Sequence, residues 1–329
     1  MSAGERVLVT SSLFRPDDAE ARGVLERAGL TPTFRPSSPT WSVAQVVEAL
    51  GDAVGVVAST ERYVEAVFTA APRLRVVSRT GVGYDAVDLE AATRHGVVVT
   101  TTPGANDRAV ADFALTLILA LARNLLEADR STRAGRWQRP AAVELRDKVV
   151  GIVGLGAIGK HVARRLFGFE ARLLAYDVVE DGEFAERYGV RYVPLETLVA
   201  ESDFVTLHAP LLPSTHHVIG ERELRAMKRS AMLVNTARGP LVDEEALTRA
   251  LREGWIAGAG LDVFEVEPLP AESPLRALPN VILAPHCAGI THESGKAMAR
   301  MACENVVAVL AGRPPALCVN PEVLGSSRR

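Results

Sequence analysis

The chain is poor in cysteine and in aromatic residues, and it lacks a long apolar run. Its three cysteines, Cys287, Cys303 and Cys318, are odd in number and have no CxxC spacing, which argues against a disulfide framework or a thiolate metal site. The longest apolar stretch, Ala109–Ala122, is too short to cross a bilayer and contains Asp112. The amino-terminal residues lack the apolar core of a signal peptide. These absences predict a cytoplasmic protein with reduced thiols and no membrane partner.

The chain also lacks an excess of charge of either sign. Its formal net charge is −3, from 37 basic and 40 acidic residues. The composition therefore gives no reason to expect a nucleic-acid partner, and an acidic substrate would need local basic groups to bind it. With 329 residues, of which 48% are apolar, the chain is long enough for two domains with complete cores.

Short β-branched runs alternate with longer segments of helical period, which is the pattern of parallel β/α units. In the first hundred residues the predicted strands are Arg6–Thr10, Ala53–Ala58, Arg75–Ser78 and Val97–Thr100. The predicted helices between them are Asp17–Ala28, Ser42–Leu50, Val64–Ala70 and Asp88–His95. From residue 148 onward six strands are predicted, at Val149–Val153, Arg172–Tyr176, Phe204–Leu207, Met232–Asn235, Ala259–Leu261 and Val281–Leu283. We therefore expect an α/β fold with two Rossmann-like, doubly wound parallel sheets.

Two segments stand outside this alternation. Arg108–Arg123 reads as a long helix with more apolar surface than one face needs, which predicts burial between domains or against another subunit. Asn124–Glu144 is polar and weakly periodic, and we expect an arm or linker that could wrap a partner subunit. The last predicted helix, His292–Leu310, ends at the sequence Gly-Arg-Pro-Pro.

A dinucleotide-binding motif follows the strand Val149–Val153. The sequence Gly154-Leu-Gly-Ala-Ile-Gly159 matches GxGxxG and runs into a helical segment. Gly154 would permit the tight turn, Gly156 would let the backbone approach a pyrophosphate, and Gly159 would let the helix pack closely on the strand. The pyrophosphate would then bind at the helix N-terminus, where free N–H groups favour an anion.

An acidic residue ends the next predicted strand at the position that such a motif requires. Asp177 lies 18 residues after Gly159, where its carboxylate can accept hydrogen bonds from the adenosine ribose hydroxyls. The carboxylate would repel a 2′-phosphate, and the following Val178-Val179 supplies no arginine to bind one. The sequence therefore predicts NAD rather than NADP, the alternative being that Asp177 is only a loop carboxylate.

Three residues after strand-like runs have the chemistry that reduction of a 2-oxo acid requires. An arginine can bind the substrate carboxylate and polarise the carbonyl, and a histidine can donate the proton while an adjacent carboxylate keeps it protonated and oriented. Arg238, Glu267 and His286 supply one of each. In an open α/β sheet the ligand binds at the carboxyl ends of the strands, where these residues are expected.

Several motifs in order resemble the signatures of the D-isomer-specific 2-hydroxyacid dehydrogenases. The resemblance covers roughly Val54 to Asn320, and the motifs are Gly81-Val-Gly-Tyr-Asp85, Pro103–Asp112, Gly154–Gly159, His208-Ala-Pro210, Asn235-Thr-Ala-Arg-Gly239, Asp262–Pro268 and Pro285-His-Cys-Ala-Gly289. Among the members, the chain looks closest to the phosphoglycerate dehydrogenase branch, without a C-terminal regulatory domain.

The resemblance implies a role for individual residues. Arg238 would anchor the substrate, His286 would be the acid/base, and Glu267 would be the partner of that histidine. The implied cofactor contacts are Gly154, Gly156, Ala157, Ile158, Gly159, Asp177, His208, Pro210, Thr215, Thr236, Ala237, Asp262 and Gly289. The implied substrate contacts are Ser59, Val82, Gly83, Arg238 and His286, with backbone N–H groups of Val82 and Gly83 binding the carboxylate.

The resemblance also implies a nested domain layout. A substrate-binding domain would comprise residues 1–101 and 289–329, and an NAD-binding domain would be inserted as residues 102–288. Closure of the cleft between the domains would exclude water before hydride transfer. We expect a homodimer formed through Arg108–Trp137.

The identity of the substrate is left open by one departure from the family pattern. Phosphoglycerate-specific members usually carry a phosphate-binding arginine after the third strand, whereas this chain reads Val57-Ala-Ser-Thr-Glu61. A small D-2-hydroxy or 2-oxo acid is therefore the first hypothesis. A phosphorylated or phosphonate-bearing hydroxy acid would need Arg62 or Arg79 to replace the missing arginine. An NAD(H)-sensing binding protein is the rival from another class.

A metal site is not expected. His216-His217 are adjacent and have no acidic companion near them in the sequence, so a loop is favoured over a metal site at this pair.

Overall fold

The computed structural model describes residues 4–38 and 40–324, and the chain forms two compact units. The smaller unit comprises Met1–Asn106 and Ile290–Arg329, and the larger unit comprises Asp107–Gly289. The chain thus passes between units at 106 and 289, where the sequence placed the boundaries at 101 and 288. Each unit contains its own parallel sheet with helices.

The smaller unit begins with four β/α repeats and a fifth strand. Its elements are β1 (Arg6–Val9), α1 (Ala19–Arg27), β2 (Thr31–Phe34), α2 (Val43–Leu50), β3 (Gly55–Ala58), α3 (Glu65–Ala70), β4 (Val76–Arg79), α4 (Leu89–Arg94) and β5 (Val98–Thr100). The strands pair in the order β2-β1-β3-β4-β5, all parallel. Every residue of β3 and β4 is buried, as expected of strands that are covered on both faces.

The larger unit contains a seven-stranded parallel sheet. Its elements are α5 (Asp107–Ala122), α6 (Leu125–Arg133), β6 (Val149–Val153), α7 (Ala157–Phe167), β7 (Arg172–Tyr176), α8 (Gly182–Tyr188), β8 (Val190–Tyr192), α9 (Leu195–Glu201), β9 (Phe204–Leu207), α10 (Glu221–Ala226), β10 (Met232–Asn235), α11 (Glu244–Glu253), β11 (Gly258–Leu261) and β12 (Val281–Leu283). The order is β12-β11-β10-β9-β6-β7-β8, with the order reversing beside β6. The predicted α/β class with two Rossmann-like parallel sheets is confirmed.

The end of the chain returns to the smaller unit. Helix α12 (His292–Leu310) packs against α1, β3 and β4. Beyond it, the backbone N–H of Val319 donates to the carbonyl of Val99 at 2.9 Å, next to an antiparallel bridge between Thr100 and Cys318. The smaller unit is therefore built from both ends of the sequence, which strand and helix patterns alone do not indicate.

Three sequence-based expectations about elements were wrong. Strand β2 was not among the predicted strands; it contains Pro32 and lies at the edge of its sheet, where a missing N–H donor is tolerated. Strand β8 was also not predicted; it has only three residues and lies at an edge of the larger sheet. The larger sheet therefore has seven strands where six were expected. Part of the expected arm 124–144 is the helix α6, which ends at Arg133.

Helix α5 is covered within its own unit on more than one side. It packs on α7 and on the strands β10 and β11. A Cβ on Gly260 would lie 3.1 Å from Leu117 Cβ, so the glycine lets the helix approach the sheet closely. In the described part of the chain no single helix meets the length and hydropathy required of a membrane span, although α5 and α6 meet it together as a pair bent by 62°.

Close packing at the centre of the larger sheet gives a prediction for stability. A Cβ on Gly151 in β6 would lie 2.4 Å from Leu198 Cδ2 and 2.5 Å from Ser202 Oγ. Gly151→Ala should lower the free energy of unfolding by about 1–3 kcal/mol, the usual cost of overpacking a core. Gly182→Ala is the matched control. Gly182 is the first residue of α8, and a Cβ there would have open space, so this variant should not be destabilised. Equal urea midpoints for both variants would contradict the prediction.

Candidate active site

The glycine-rich turn connects β6 to α7 in the larger unit. Gly154 has a φ of 91°, a conformation that favours glycine, and a Cβ there would lie 2.6 Å from the backbone nitrogen of Ala209. A Cβ on Gly159 would lie 2.1 Å from the carbonyl oxygen of Gly154. Gly156 is the N-cap of α7 and has open space beside its Cα. The turn thus exposes the first N–H groups of an 11-residue helix, including those of Ala157 and Ile158, to a space that can hold an anion.

Two buried polar atoms support the fit of a dinucleotide at the same sheet edge. Among the described residues, His208 Nδ1 and Thr236 Oγ1 are buried and have no hydrogen-bond partner. His208 follows β9 and Thr236 follows β10, the strands next to β6 in the sheet. Unpaired buried donors or acceptors are costly, so a ligand that bonds to them accounts for both. Both residues are among the cofactor contacts that the family resemblance implies.

The imidazole of His208 is held in a neutral state. Burial lowers the pKa of His208 to about 3. Its Nε2 lies 2.9 Å from Thr206 Oγ1. A neutral ring with one nitrogen fixed by a hydroxyl can offer the other nitrogen to a cofactor hydroxyl.

The carboxylate of Asp177 joins the glycine-rich turn to the end of β7. Its Oδ2 accepts a hydrogen bond from the backbone N–H of Leu155 at 2.7 Å, and its Oδ1 accepts one from Val179 at 3.1 Å. The side chains of Val178 and Val179 are exposed. Each carboxylate oxygen keeps a further lone pair, so Asp177 can accept from ribose hydroxyls while it shapes the turn.

A turn after β10 presents Arg238. Asn235, the last residue of β10, donates through Nδ2 to the carbonyl of Arg238 at 2.8 Å and accepts from the backbone N–H of Ala237 at 3.0 Å. The Arg238 guanidinium donates to the carbonyl of Ala237 at 2.6 Å. Sequence reasoning quoted Asn235 within a motif but gave it no role; its position directly before the turn is the signal that could have identified it.

The residue after Arg238 brings two loops together. A Cβ on Gly239 would lie 1.9 Å from the carbonyl carbon of Phe264 and 2.4 Å from the backbone nitrogen of Glu265. Only glycine allows this approach. The arginine turn therefore packs against the loop that carries Glu267.

Glu267 and His286 form a direct hydrogen bond. His286 Nδ1 lies 2.6 Å from Glu267 Oε2, and Glu267 Oε1 accepts from the backbone N–H of Phe264 at 3.0 Å. Burial alone would raise the pKa of the Glu267 carboxyl, but the hydrogen bond and charge of His286 outweigh it and hold the pKa below its usual value. An ionised carboxylate on Nδ1 leaves Nε2 of His286 as the nitrogen that can exchange a proton with a substrate.

Asp262 shapes the loop that carries the histidine. This fully buried residue follows β11, and its two carboxylate oxygens accept from the backbone N–H groups of Cys287 and Ala288, each at 2.8 Å. Its carbonyl accepts from the N–H of His286 at 2.8 Å. Burial, only partly offset by these N–H groups, raises the pKa of the Asp262 carboxyl. The family resemblance implies that Asp262 contacts the cofactor, and the structure shows that it also anchors the His286 loop.

The remaining predicted cofactor contacts of the larger unit lie in local turns. Thr215 Oγ1 donates to the carbonyl of Pro210 at 2.7 Å and accepts from the N–H of Leu212 at 2.8 Å, so it shapes the loop after β9. Gly289 is the last residue of the larger unit.

One expectation about His216-His217 was wrong. The pair does have an acidic neighbour, since His217 Nε2 lies 2.7 Å from Glu265 Oε1. The described residues nevertheless contain no group of three histidine, cysteine or acidic side chains that could hold a metal ion.

The predicted substrate contacts of the smaller unit also lie at the carboxyl ends of strands. Ser59 follows β3 directly, and Val82 and Gly83 follow β4 by a few residues. Gly81 has a φ of 133° and opens the turn that contains the latter two. Val82 is 37% exposed, so this turn is accessible on the surface of its unit.

Comparison with known proteins places the chain in a family. Residues 115–288 match the model of the D-isomer specific 2-hydroxyacid dehydrogenase NAD binding domain. The glyoxylate reductase of Korarchaeum cryptofilum is 49% identical over 286 residues, which are 85% of this chain and 86% of that protein. The glyoxylate reductase of Thermococcus gammatolerans is 49% identical over 274 residues, 80% of this chain and 82% of that protein.

Solved structures with similar folds support the same family assignment. A Thermus thermophilus protein of 39% identity superposes with a TM-score of 0.87, over 95% of this chain and 99% of that one. The D-lactate dehydrogenase of Escherichia coli, 28% identical, gives a TM-score of 0.83 over 96% of this chain and 99% of that one. The expected phosphoglycerate dehydrogenase branch stays a prediction. The chain belongs to the D-isomer-specific 2-hydroxyacid dehydrogenase family and is an NAD-dependent oxidoreductase.

Proposed function

We propose that the protein reduces a small 2-oxo acid such as glyoxylate to the corresponding 2-hydroxy acid, with Arg238, Glu267 and His286 as its catalytic residues. The observation that carries the proposal is the 2.6 Å hydrogen bond between His286 Nδ1 and Glu267 Oε2, in the unit that also holds the dinucleotide-binding turn. A protein that only senses NAD(H) has no need of such a proton donor.

The residues divide the reaction between them. Bound NADH supplies the hydride that reaches C2 of the substrate. The Arg238 guanidinium binds the substrate carboxylate and polarises the C2 carbonyl through its planar set of donors. His286 then donates the proton from Nε2 to the carbonyl oxygen, and Glu267 stabilises the imidazolium before this transfer. The backbone N–H groups of Val82 and Gly83 are proposed to bind the carboxylate as well.

The loop after β3 favours a substrate without a phosphate. Glu61 is fully buried beneath this loop, and Arg79 is 9% exposed and donates to two main-chain carbonyls. Arg79 is thus engaged in the protein, and Arg62, an exposed residue, is left as the candidate for a phosphate. The curated relatives cited above are glyoxylate reductases, which agrees with a small uncharged tail.

We also propose that the protein is a cytoplasmic homodimer, formed through the segment 108–137 of the larger unit. Leu125 and Trp137 within it are 58% and 80% exposed in the single chain. Large exposed apolar side chains in one segment are typical of a subunit interface.

The substrate is tested by NADH oxidation against a panel of 2-oxo acids: glyoxylate, hydroxypyruvate, pyruvate, 2-oxoglutarate, 3-phosphohydroxypyruvate and a phosphonate analogue. Glyoxylate or another small acid should give the highest kcat/KM. His286→Gln should lower kcat by about 100-fold or more, since general acid catalysis contributes on that order. The control His95→Gln alters a histidine that pairs with Glu65 on α3 and should retain activity. Preference for the phosphorylated acid, or turnover that survives His286→Gln, would refute the proposal.

The ion pair predicts a pH effect. Glu267 has a lowered pKa and is ionised near neutrality, where it favours protonated His286. In Glu267→Gln the neutral amide holds the proton less strongly. The decline of reductase kcat/KM with rising pH should therefore begin about one pH unit or more lower than in the wild type. The control Glu196→Gln removes a surface partner of Arg222 and should leave the profile in place. An unshifted profile in Glu267→Gln would contradict the assigned role.

The nucleotide preference should depend on Asp177. In Asp177→Asn the charge is lost, and one of the two backbone donors, Leu155 or Val179, faces an amide NH₂ instead of an oxygen. NADH affinity should fall by about tenfold relative to NADPH affinity, as expected on losing a charged acceptor. Fluorescence titration with both nucleotides measures this ratio. Asp243→Asn, at the N-cap of α11, is the control and should bind both as the wild type does.

A further inference from the structure

A buried carboxylate and a buried guanidinium lie at the carboxyl edge of the smaller sheet. Glu61 is 0% exposed and Arg79 is 9% exposed. Neither takes part in proton transfer or in cofactor binding. We propose that both are positioning residues, which fix by hydrogen bonds the main-chain groups that receive the substrate; this inference rests on the proposed function.

Arg79 joins the two loops of this unit that carry the predicted substrate contacts. It ends β4, and its Nε donates to the carbonyl of Gly83 at 3.3 Å. Another nitrogen of the same guanidinium donates to the carbonyl of Ser59. The planar guanidinium holds several donors in fixed directions, so one side chain sets the distance between the loops. The shorter, single-headed ammonium of lysine would not fix both carbonyls in this geometry.

The turn after β4 is fixed at both ends. Thr102 accepts through Oγ1 from the N–H of Gly81 at 2.8 Å and donates its own N–H to the Gly81 carbonyl at 2.9 Å. Arg79 fixes the carbonyl of Gly83 at the other end. Within residues 4–38 and 40–324, the N–H groups of Val82 and Gly83 donate to no protein acceptor. Consecutive N–H groups in a fixed turn form an anion-binding concavity, which suits a carboxylate.

Glu61 fixes the neighbouring loop from below. Its carboxylate accepts from the hydroxyls of Thr10, Ser37 and Tyr63, the last two at 2.6 Å and 2.9 Å. It also accepts from the backbone N–H of Ser59 at 3.2 Å. Burial, and next the charge of Glu61, raises the pKa of Tyr63 far above its usual value, so its hydroxyl remains a donor. One carboxylate therefore ties together the segments that follow β1, β2 and β3.

This arrangement also restricts the substrate. Both main-chain groups of Ser59 are engaged, its N–H by Glu61 and its carbonyl by Arg79, so its hydroxyl is the remaining polar group. The guanidinium of Arg79 is directed at main-chain carbonyls and its charge is offset by the carboxylate of Glu61 at the same loop, so this buried pair supplies no net positive charge for a phosphate dianion. The loop thus selects a 2-oxo acid whose tail is small and carries no second anionic group.

The decisive comparison is Arg79→Met against Arg75→Met. Arg75 precedes the same strand at the opposite edge of the sheet and pairs with Glu5 at 3.1 Å. Arg75 is partly buried and directly precedes β4, whereas Arg79 is buried and ends β4. Of the two, Arg79 is the one that bonds to the loops with the predicted substrate contacts. For Arg79→Met we expect the KM for glyoxylate to rise about tenfold or more, with a smaller change in kcat, because an interaction shared by bound substrate and transition state is weakened. NADH affinity should stay unchanged in both variants, and Arg75→Met should keep the wild-type KM.

Further variants keep the test decisive. If Arg79→Met does not fold, Arg79→Lys retains the charge and should show the same rise in KM with a melting temperature near that of the wild type. Glu61→Gln should raise the KM for glyoxylate and reduce the ratio of kcat/KM for glyoxylate to kcat/KM for 3-phosphohydroxypyruvate. Provided that the wild type reduces glyoxylate, the inference is overturned if KM is unchanged in Arg79→Met or Arg79→Lys. It is also overturned if KM rises equally in Arg75→Met. A wild type that reduces no 2-oxo acid overturns the proposed function, and the inference falls with it.

Discussion

Parallel strand pairing is the constraint on which the rest of this structure depends. In a parallel sheet every strand ends at the same edge, and there the main chain leaves the ladder with unsatisfied polar groups. In the larger unit this edge gathers the glycine-rich turn after β6, Asp177 after β7, His208 after β9, Arg238 after β10 and Asp262 after β11. The candidate active site is therefore assembled from residues far apart in sequence because the sheet brings their strand ends together.

Both units use buried or half-buried carboxylates to shape the loops at this edge. Asp177 accepts from the N–H of Leu155, and Asp262 accepts from two N–H groups of the His286 loop. In the smaller unit Glu61 accepts from the N–H of Ser59. A buried carboxylate is costly unless it is bonded, and a loop N–H is costly unless it is paired, so each satisfies the other. These acids are consequently part of the architecture of the site even where they touch no ligand.

Sequence reasoning predicted the interior strands of both sheets and missed two of the four edge strands, β2 and β8. Strands β6, β7, β9 and β10 are largely apolar runs, and their bounds were predicted without error because such runs have few alternative interpretations. The edge strand β2 contains a proline, which counts against a strand unless its place at the edge is known. The candidate site was likewise predictable only in part. Arg238, Glu267 and His286 could be proposed because they follow strand-like runs. The role of Asn235 could not, because it depends on the conformation of the turn after β10.

The hydrogen bonds of buried side chains are what the sequence could not supply. Nothing in the order of residues shows that Glu61 accepts hydrogen bonds from two other segments, at Thr10 and Ser37, or that Arg79 bridges Ser59 and Gly83. A charged residue at the end of a strand is more often exposed, and Arg79 was named from the sequence as one of two candidates to replace the missing phosphate-binding arginine. The structure places the main-chain carbonyls of Ser59 and Gly83 among the partners of Arg79.

The backbone at His286 shows how firmly the loop is held. Its φ of 52° lies in the left-handed region, which costs a residue with a side chain about 1–2 kcal/mol relative to glycine. Glycine would relieve this strain but would carry no imidazole. Three successive N–H groups, those of His286, Cys287 and Ala288, are all directed at Asp262, and together they offset the strain. The loop thus holds the ring 2.6 Å from Glu267 through contacts within the protein, so the proton donor is already placed beside its partner.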